Sequence, residues 1–257
     1  MNTKKIILST EKLFKRFDKD SSAIDTSFYV LNNLSLEFYQ EDLTVIMGSS
    51  GAGKSTLLYA LSGLDSVTSG KVFYKERNIT TVPEKEIIRL RRKEFGFVFQ
   101  QNHLVSNLTL LENVAVSGFF AGIKNSTNLA KELLEQIGLS KVMDNLPGQV
   151  SGGEAQRCAV ARAVMGNPQI LFADEPTGAL NKKNTEIILD LLSYFNSQGQ
   201  SIIMVTHDIR TALRGNRILY LEDGSILSQL ILPPYDSKED LKARETQITD
   251  WLLSLAW

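Results

Sequence analysis

Short apolar runs alternate with helically spaced apolar positions along most of this chain. Residues 6–11 and 29–38 mix apolar and polar positions as half-buried strands do, and the polar stretch 18–26 between them reads as a hairpin loop. Residues 42–47 predict a buried strand, and Leu57, Leu58, Leu61 and Leu64 then predict a helix over 54–64. A strand over 70–74, a helix over 83–93 and a strand over 96–99 follow. From 108 to about 166 the pattern is helical, with loops near 125, 139 and 145–148. The runs 169–173 and 201–205 read as buried parallel strands, joined through a helix over 184–195 by what should be a right-handed crossover. Residues 218–221 and 226–232 flank Asp223-Gly224 as a hairpin ended by Pro233-Pro234. A last helical segment, 237–257, places Leu241, Ile248, Trp251, Leu252 and Leu255 on one face, a stripe read as packing on its own domain rather than on a partner.

Composition changes this picture in three ways. With 43% hydrophobic and 22% charged residues, a buried core is expected and disorder is not. A formal net charge of -1 removes the basic footprint of a nucleic-acid binder, so Arg89, Arg91, Arg92 and Lys93 read as cations complementing a helix C-terminus. The single cysteine, Cys158, excludes an intrachain disulfide and fits a reducing compartment. Ile6-Ile7-Leu8 is too short for a signal peptide, and no apolar stretch reaches membrane-spanning length. A cytosolic chain is expected, held at a membrane, if it works there, by a partner. There is no internal repeat or low-complexity segment.

Candidate chemistry begins at Gly48-Ser49-Ser50-Gly51-Ala52-Gly53-Lys54-Ser55, which matches G-x-x-x-x-G-K-[ST] between a strand and a helix. Backbone N–H groups freed by the glycines, and the helix N-terminus, suit phosphate oxygens. Lys54 is placed to reach the β- and γ-phosphates, and the Ser55 hydroxyl to hold Mg²⁺. Asp174 and Glu175 close an apolar strand, at the strand end where open α/β sheets bind ligands. The aspartate can hold Mg²⁺ through water and the glutamate can polarise an attacking water, although an acidic pair can also simply cap a strand. His207 ends another strand, as a γ-phosphate contact or a surface histidine. Gln100 ends a third, as a Mg²⁺ or water ligand or an ordinary polar residue.

In their order along the chain these residues resemble the nucleotide-binding subunit of ABC transporters over about residues 5–230. Residues 48–55, with Thr56 after them, look like the Walker A loop and Gln100 like the Q-loop. Ser151-Gly152-Gly153-Glu154 looks like the family signature, Ile170 to Glu175 like the Walker B strand, Gly178-Ala179-Leu180-Asn181 like the D-loop and His207 like the H-loop. Phe17 sits where the family places an adenine-stacking aromatic. The resemblance implies an α/β fold: a P-loop NTPase core with a mostly parallel sheet, an N-terminal antiparallel β-subdomain and a helical signature subdomain. The expected organisation is one ABC ATPase domain over 1–257, with a helical subdomain at 104–157 and a C-terminal helical tail at 233–257. It implies ATP and Mg²⁺ as cofactors, Glu175, His207 and Lys54 as catalytic residues, and Ser55, Gln100 and Asp174 around the metal.

The resemblance further implies a homodimer or paired ATPases with ATP at the interface, held by Walker A of one copy and by Ser151, Gly152, Gly153 and Glu154 of the other. An integral membrane permease is the implied partner, on the cytoplasmic face of the membrane, with the segment from Gln100 to about Val116 transmitting motion; nucleic acid is not a partner. Residues 176–180 look most like the branch of lipoprotein-releasing, macrolide-exporting, cell-division (FtsE-type) and antimicrobial-peptide-resistance systems. The tail looks similar to the bacitracin or lantibiotic resistance group. An ATPase powering export or release of a peptide or lipid-like substrate is therefore expected. The alternative classes are a regulatory or mechanotransmitting ATPase, and a soluble DNA-repair or translation ATPase. Glu154 replaces a common glutamine with little expected effect. Asn181 replaces the D-loop aspartate, and slower turnover is expected from the lost charge.

Overall fold

The computed structural model describes residues 4–17, 29–235 and 241–255. In chain order the first strands are β1 (Ile6–Arg16), β2 (Tyr29–Leu34), β3 (Glu37–Tyr39) and β4 (Leu43–Met47). Helix α1 (Lys54–Leu61), β5 (Ser69–Tyr74), β6 (Arg77–Asn78), α2 (Glu84–Lys93) and β7 (Phe95–Val98) follow. Next come α3 (Leu110–Ala121), α4 (Ser126–Gln136), α5 (Gly152–Val164), β8 (Ile170–Asp174), α6 (Lys182–Ser197) and β9 (Ser201–Val205). The chain continues through α7 (Ile209–Ala212), β10 (Arg217–Glu222), β11 (Ser225–Ile231) and α8 (Leu241–Ser254). The described residues divide into two compact units: one runs up to Ile87 and resumes at Ile203, the other is Ile88–Ile202.

In the first unit an antiparallel sheet runs β2-β1-β5-β6, with β3 also paired to β1. The expected strand over 29–38 is broken in two, and Thr10 explains the break. Its hydroxyl donates to the Leu34 carbonyl at 3.0 Å and accepts from the Leu36 N–H at 3.0 Å, so a side chain takes the place of regular backbone pairing there, while the Leu36 carbonyl still accepts the Thr10 N–H at 2.8 Å. The loop expected over 18–26 lies outside the described residues. β4 is buried at every position and pairs in parallel with β10, which pairs antiparallel with β11 across the Asp223-Gly224 turn. Helix α1 stops three residues before the expected Leu64. Gly63, at φ 66, lets its N–H reach the Ala60 carbonyl and that of Leu64 the Tyr59 carbonyl, a Schellman closure.

Helix α8 packs on this unit through Ile248 and Leu252, both buried. Trp251 donates to the Ser228 hydroxyl at 3.1 Å and meets Tyr220 edge-on. The apolar stripe misses the strongest anchor, Arg244, which is buried at 3% exposure. Its guanidinium donates to the carbonyls of Leu213 and Pro233, each at 2.8 Å, and of Gly215. Hydrogen bonds from a charged donor are worth about 1.5–3 kcal/mol each, enough to keep a cation inside.

In the second unit β7 and β8 pair in parallel, Phe95 opposite Ile170 and Val98 opposite Ala173. Helices α3, α4 and α5 enclose a separate apolar cluster that includes Leu110, Val114, Leu134, Cys158 and Met165. The Cys158 thiol lies 3.5 Å from the Leu110 carbonyl, and burial pushes its pKa up to about 12. Among the described residues no helix is long and apolar enough to cross a membrane.

Candidate functional site

The phosphate loop hangs between buried β4 and the first turn of α1. Gly48 is required by close approach: a Cβ there would lie 2.0 Å from the Leu221 carbonyl oxygen. Gly53 is required twice, by φ 99 and by the Val30 carbonyl 2.6 Å from where a Cβ would be. Ser49, Ser50, Gly51 and Ala52 form the turn between them. The Lys54 ammonium, 7% exposed, curls back to donate to the carbonyls of Gly48 at 2.9 Å and Ser49 at 2.8 Å. This holds a concave backbone whose cation already lies inside it. Lys54, Ser55 and Thr56 open α1, where N–H groups without helical partners and the helix dipole favour an anion.

His207 belongs to the same unit. Strand β9 delivers it: the next residue, Thr206, donates its N–H to the Ile46 carbonyl at 3.1 Å, two residues before the loop. The Thr206 hydroxyl accepts from the Asp208 N–H, and Asp208 caps α7, so exposed His207 stands between two fixed neighbours. Phe17, 53% exposed, follows the end of β1 with the Lys15 ammonium 4.9 Å from its ring centroid. Lys15 is itself held by Asp65 at 2.8 Å and the Ser66 carbonyl at 2.6 Å.

The second unit gathers the other candidates. Asp174 ends β8, buried at 8% exposure, and Glu175 follows in the left-handed region at φ 43. That backbone costs on the order of 1–3 kcal/mol for a residue with a side chain and persists where its surroundings fix it. A turn begins at this residue: the Gly178 N–H donates to the Glu175 carbonyl at 3.0 Å, with Pro176 at the second position. Gln100, just past β7, lies over Gly178, where a Cβ would come within 2.9 Å of its amide nitrogen.

The signature opens α5 with a reciprocal cap. The Ser151 hydroxyl accepts from the Glu154 N–H at 3.3 Å and donates to the Glu154 carboxylate at 2.7 Å, which also accepts the Ser151 N–H at 2.8 Å. The hydroxyl and then the backbone N–H of Ser151 hold the Glu154 carboxyl below its usual range. A phosphate approaching Ser151 therefore competes with Glu154 for the one hydroxyl hydrogen. Gly152 opens the helix, and the Asn184 amide occupies the space a Cβ on Gly153 would take. Asn181 caps α6 by accepting the Asn184 N–H at 3.0 Å.

Sequence reasoning missed Gln156, which is 2% exposed and bonded to the carbonyls of Phe99 and Pro176. The signal was present: it is a polar residue on the α5 face shared by buried Ala159 and Val160.

Fold and loop together define a P-loop NTPase core. A family model described as ABC transporter matches residues 31–178. The chain is 38% identical over 228 residues to the macrolide export ATP-binding/permease protein MacB of Vibrio parahaemolyticus, covering 88% of this chain and 34% of that protein. It is 40% identical over 206 residues to MacB of Haemophilus ducreyi, covering 79% and 30% respectively. The chain thus spans about a third of the length of the curated relatives it matches. A dimeric structure of a post-hydrolysis state of the ATP-binding cassette MJ0796 bound to ADP and Pi superposes with a TM-score of 0.80. That match is 34% identical and covers 89% of this chain and all of that one. The chain belongs to the ABC transporter family.

Proposed function

We propose that this chain is the ATP-hydrolysing part of an exporter, closing as a dimer on ATP at the cytoplasmic face of the membrane and driving an integral membrane permease that moves a peptide or lipid-like substrate. The observation that supports it most is a 34% identical dimeric cassette covered over its whole length by this chain. The domain would be one ABC ATPase over 1–257, with 104–157 as its helical subdomain and 233–257 as a tail.

Each residue then has a task. The loop N–H groups and Lys54 hold the β- and γ-phosphates, and Phe17 offers its ring to adenine. The donors on offer to Mg²⁺ are a hydroxyl (Ser55), a carboxylate (Asp174) and an amide oxygen (Gln100), the hard oxygen set this ion takes. When bound, the ion neutralises phosphate charge. Glu175 accepts a proton as water oxygen bonds to the γ-phosphorus and the bond to the β-γ bridging oxygen breaks, leaving ADP and phosphate. Lys54 and His207 stabilise the charge that develops on the γ-phosphoryl oxygens. Ser151 and the Gly152-Gly153 backbone meet the γ-phosphate of a nucleotide on the partner subunit. The test is phosphate release and light scattering on the purified full chain. Mg²⁺-dependent hydrolysis with ATP-dependent dimerisation is expected, and a monomer that turns over no ATP would refute the reading.

Asn181 gives a finer expectation. Aspartate would keep the cap on α6, since the cap uses a side-chain oxygen, and would restore a charge. Asn181→Asp should therefore leave the thermal midpoint unchanged and raise the steady-state ATPase rate about fivefold, the equivalent of about 1 kcal/mol in the barrier. An unchanged rate would show that the amide serves as well.

A further inference from the structure

Gln156 is a buried amide with both of its N–H bonds committed. It lies on α5, five residues after Ser151, or about 7.5 Å along the helix axis. Its Nε2 donates to the Phe99 carbonyl at 2.9 Å and to the Pro176 carbonyl at 2.8 Å. A glutamine amide has two hydrogens to give, and here each goes to a different loop. Phe99 immediately precedes Gln100. Pro176 immediately follows Glu175, which has left-handed backbone and whose carbonyl accepts the turn's hydrogen bond from Gly178. Gln100 rests on Gly178 of that same turn. One side chain therefore fastens the signature helix to both segments on which hydrolytic residues sit.

We propose that Gln156 is a positioning residue that couples the grip of this chain's signature on a partner-bound nucleotide to the placement of this chain's own Glu175. The inference rests on the roles given above to Ser151 and Glu175. Helix α5 is a continuous 13-residue α-helix, so a shift at Ser151 on meeting phosphate moves Gln156 with it. Gln156 passes the shift to the Pro176 carbonyl, and hence to the adjoining peptide that sets where the Glu175 carboxylate points. Each copy then hydrolyses its own nucleotide at full rate only when its signature is occupied by the other's.

The experiment is a double-mutant cycle on the full chain, following kcat and KM for ATP in wild type, Gln156→Met, Ser151→Ala and the double variant. Methionine keeps the length and removes both donors. Gln156→Met should lower kcat on the order of 100-fold, the scale of a 1 Å misplacement, with KM within about twofold. Added to Ser151→Ala it should cost far less, because the input it relays is already gone. A folded Gln156→Met protein with wild-type kcat overturns the proposal, and so does the full 100-fold loss on top of Ser151→Ala. Should Gln156→Met not fold, Gln156→Asn goes through the same cycle. Its amide, shorter by one methylene, reaches one carbonyl at most, and an unchanged kcat there is equally fatal. Failure of the function itself looks different: wild type is then inactive, or Ser151→Ala alone leaves hydrolysis untouched.

Discussion

Glu175→Gln should bind ATP, hydrolyse it about 100- to 10,000-fold more slowly than wild type, and accumulate as a dimer. The substitution is nearly isosteric, so the turn with Pro176 and the φ 43 backbone have no reason to change. What changes is basicity: a carboxylate accepts the water proton as the oxygen–phosphorus bond forms, and an amide does not. The phosphate loop, Lys54 and Ser151 are untouched, so nucleotide still enters and the two copies still close on it. Steady-state phosphate release measures the first effect and light scattering with ATP the second. Wild-type turnover in this variant would remove Glu175 from the chemistry.

Lys54→Met should instead weaken binding itself. Lys54 does two things through one ammonium. It braces the loop through the carbonyls of Gly48 and Ser49, and it supplies the cation for phosphate. Hydrogen bonds from a charged donor contribute about 1.5–3 kcal/mol each, so losing the two that the ammonium would make to the β- and γ-phosphates corresponds to roughly 100-fold or more in Kd. Titration with a fluorescent ATP analogue should show affinity weakened by at least that factor, with no dimer at ATP concentrations that saturate wild type. Unimpaired binding would mean that loop amides and helix dipole carry the phosphate alone. The two variants separate the steps, one holding nucleotide without cleaving it and the other failing to hold it.

Most elements were legible because their apolar positions repeat cleanly. The buried runs at β4, β8 and β9 and the 3.6-residue period of α3 to α6 are visible without coordinates. The phosphate loop was legible for a different reason: its glycines and lysine fall in a fixed order between a strand and a helix. What stayed hidden was the work of polar residues inside. Thr10 breaks a strand that its neighbours would continue. Arg244 and Gln156 go unremarked in the hydrophobic pattern, yet each is buried and donates to backbone carbonyls distant in sequence. Hydropathy scores such residues by transfer from water, whereas their placement follows from partners that only the fold brings near. Helix ends depended on short-range signals that periodicity ignores, as with Gly63 after α1 and Asn181 before α6.

The chain's one cysteine has a practical consequence. Cys158 lies inside the apolar cluster of the second unit, where burial both shields the thiol and pushes its pKa up, so that it is held as the thiol at neutral pH. Since the exposed thiolate is the reactive form, maleimides and spin labels are expected to leave the native protein unmodified, which a mass spectrum after labelling checks. Cysteines introduced on the surface, one beside the phosphate loop and one beside the signature, can therefore be labelled in an otherwise wild-type background. Closure of two copies can then be followed as a distance.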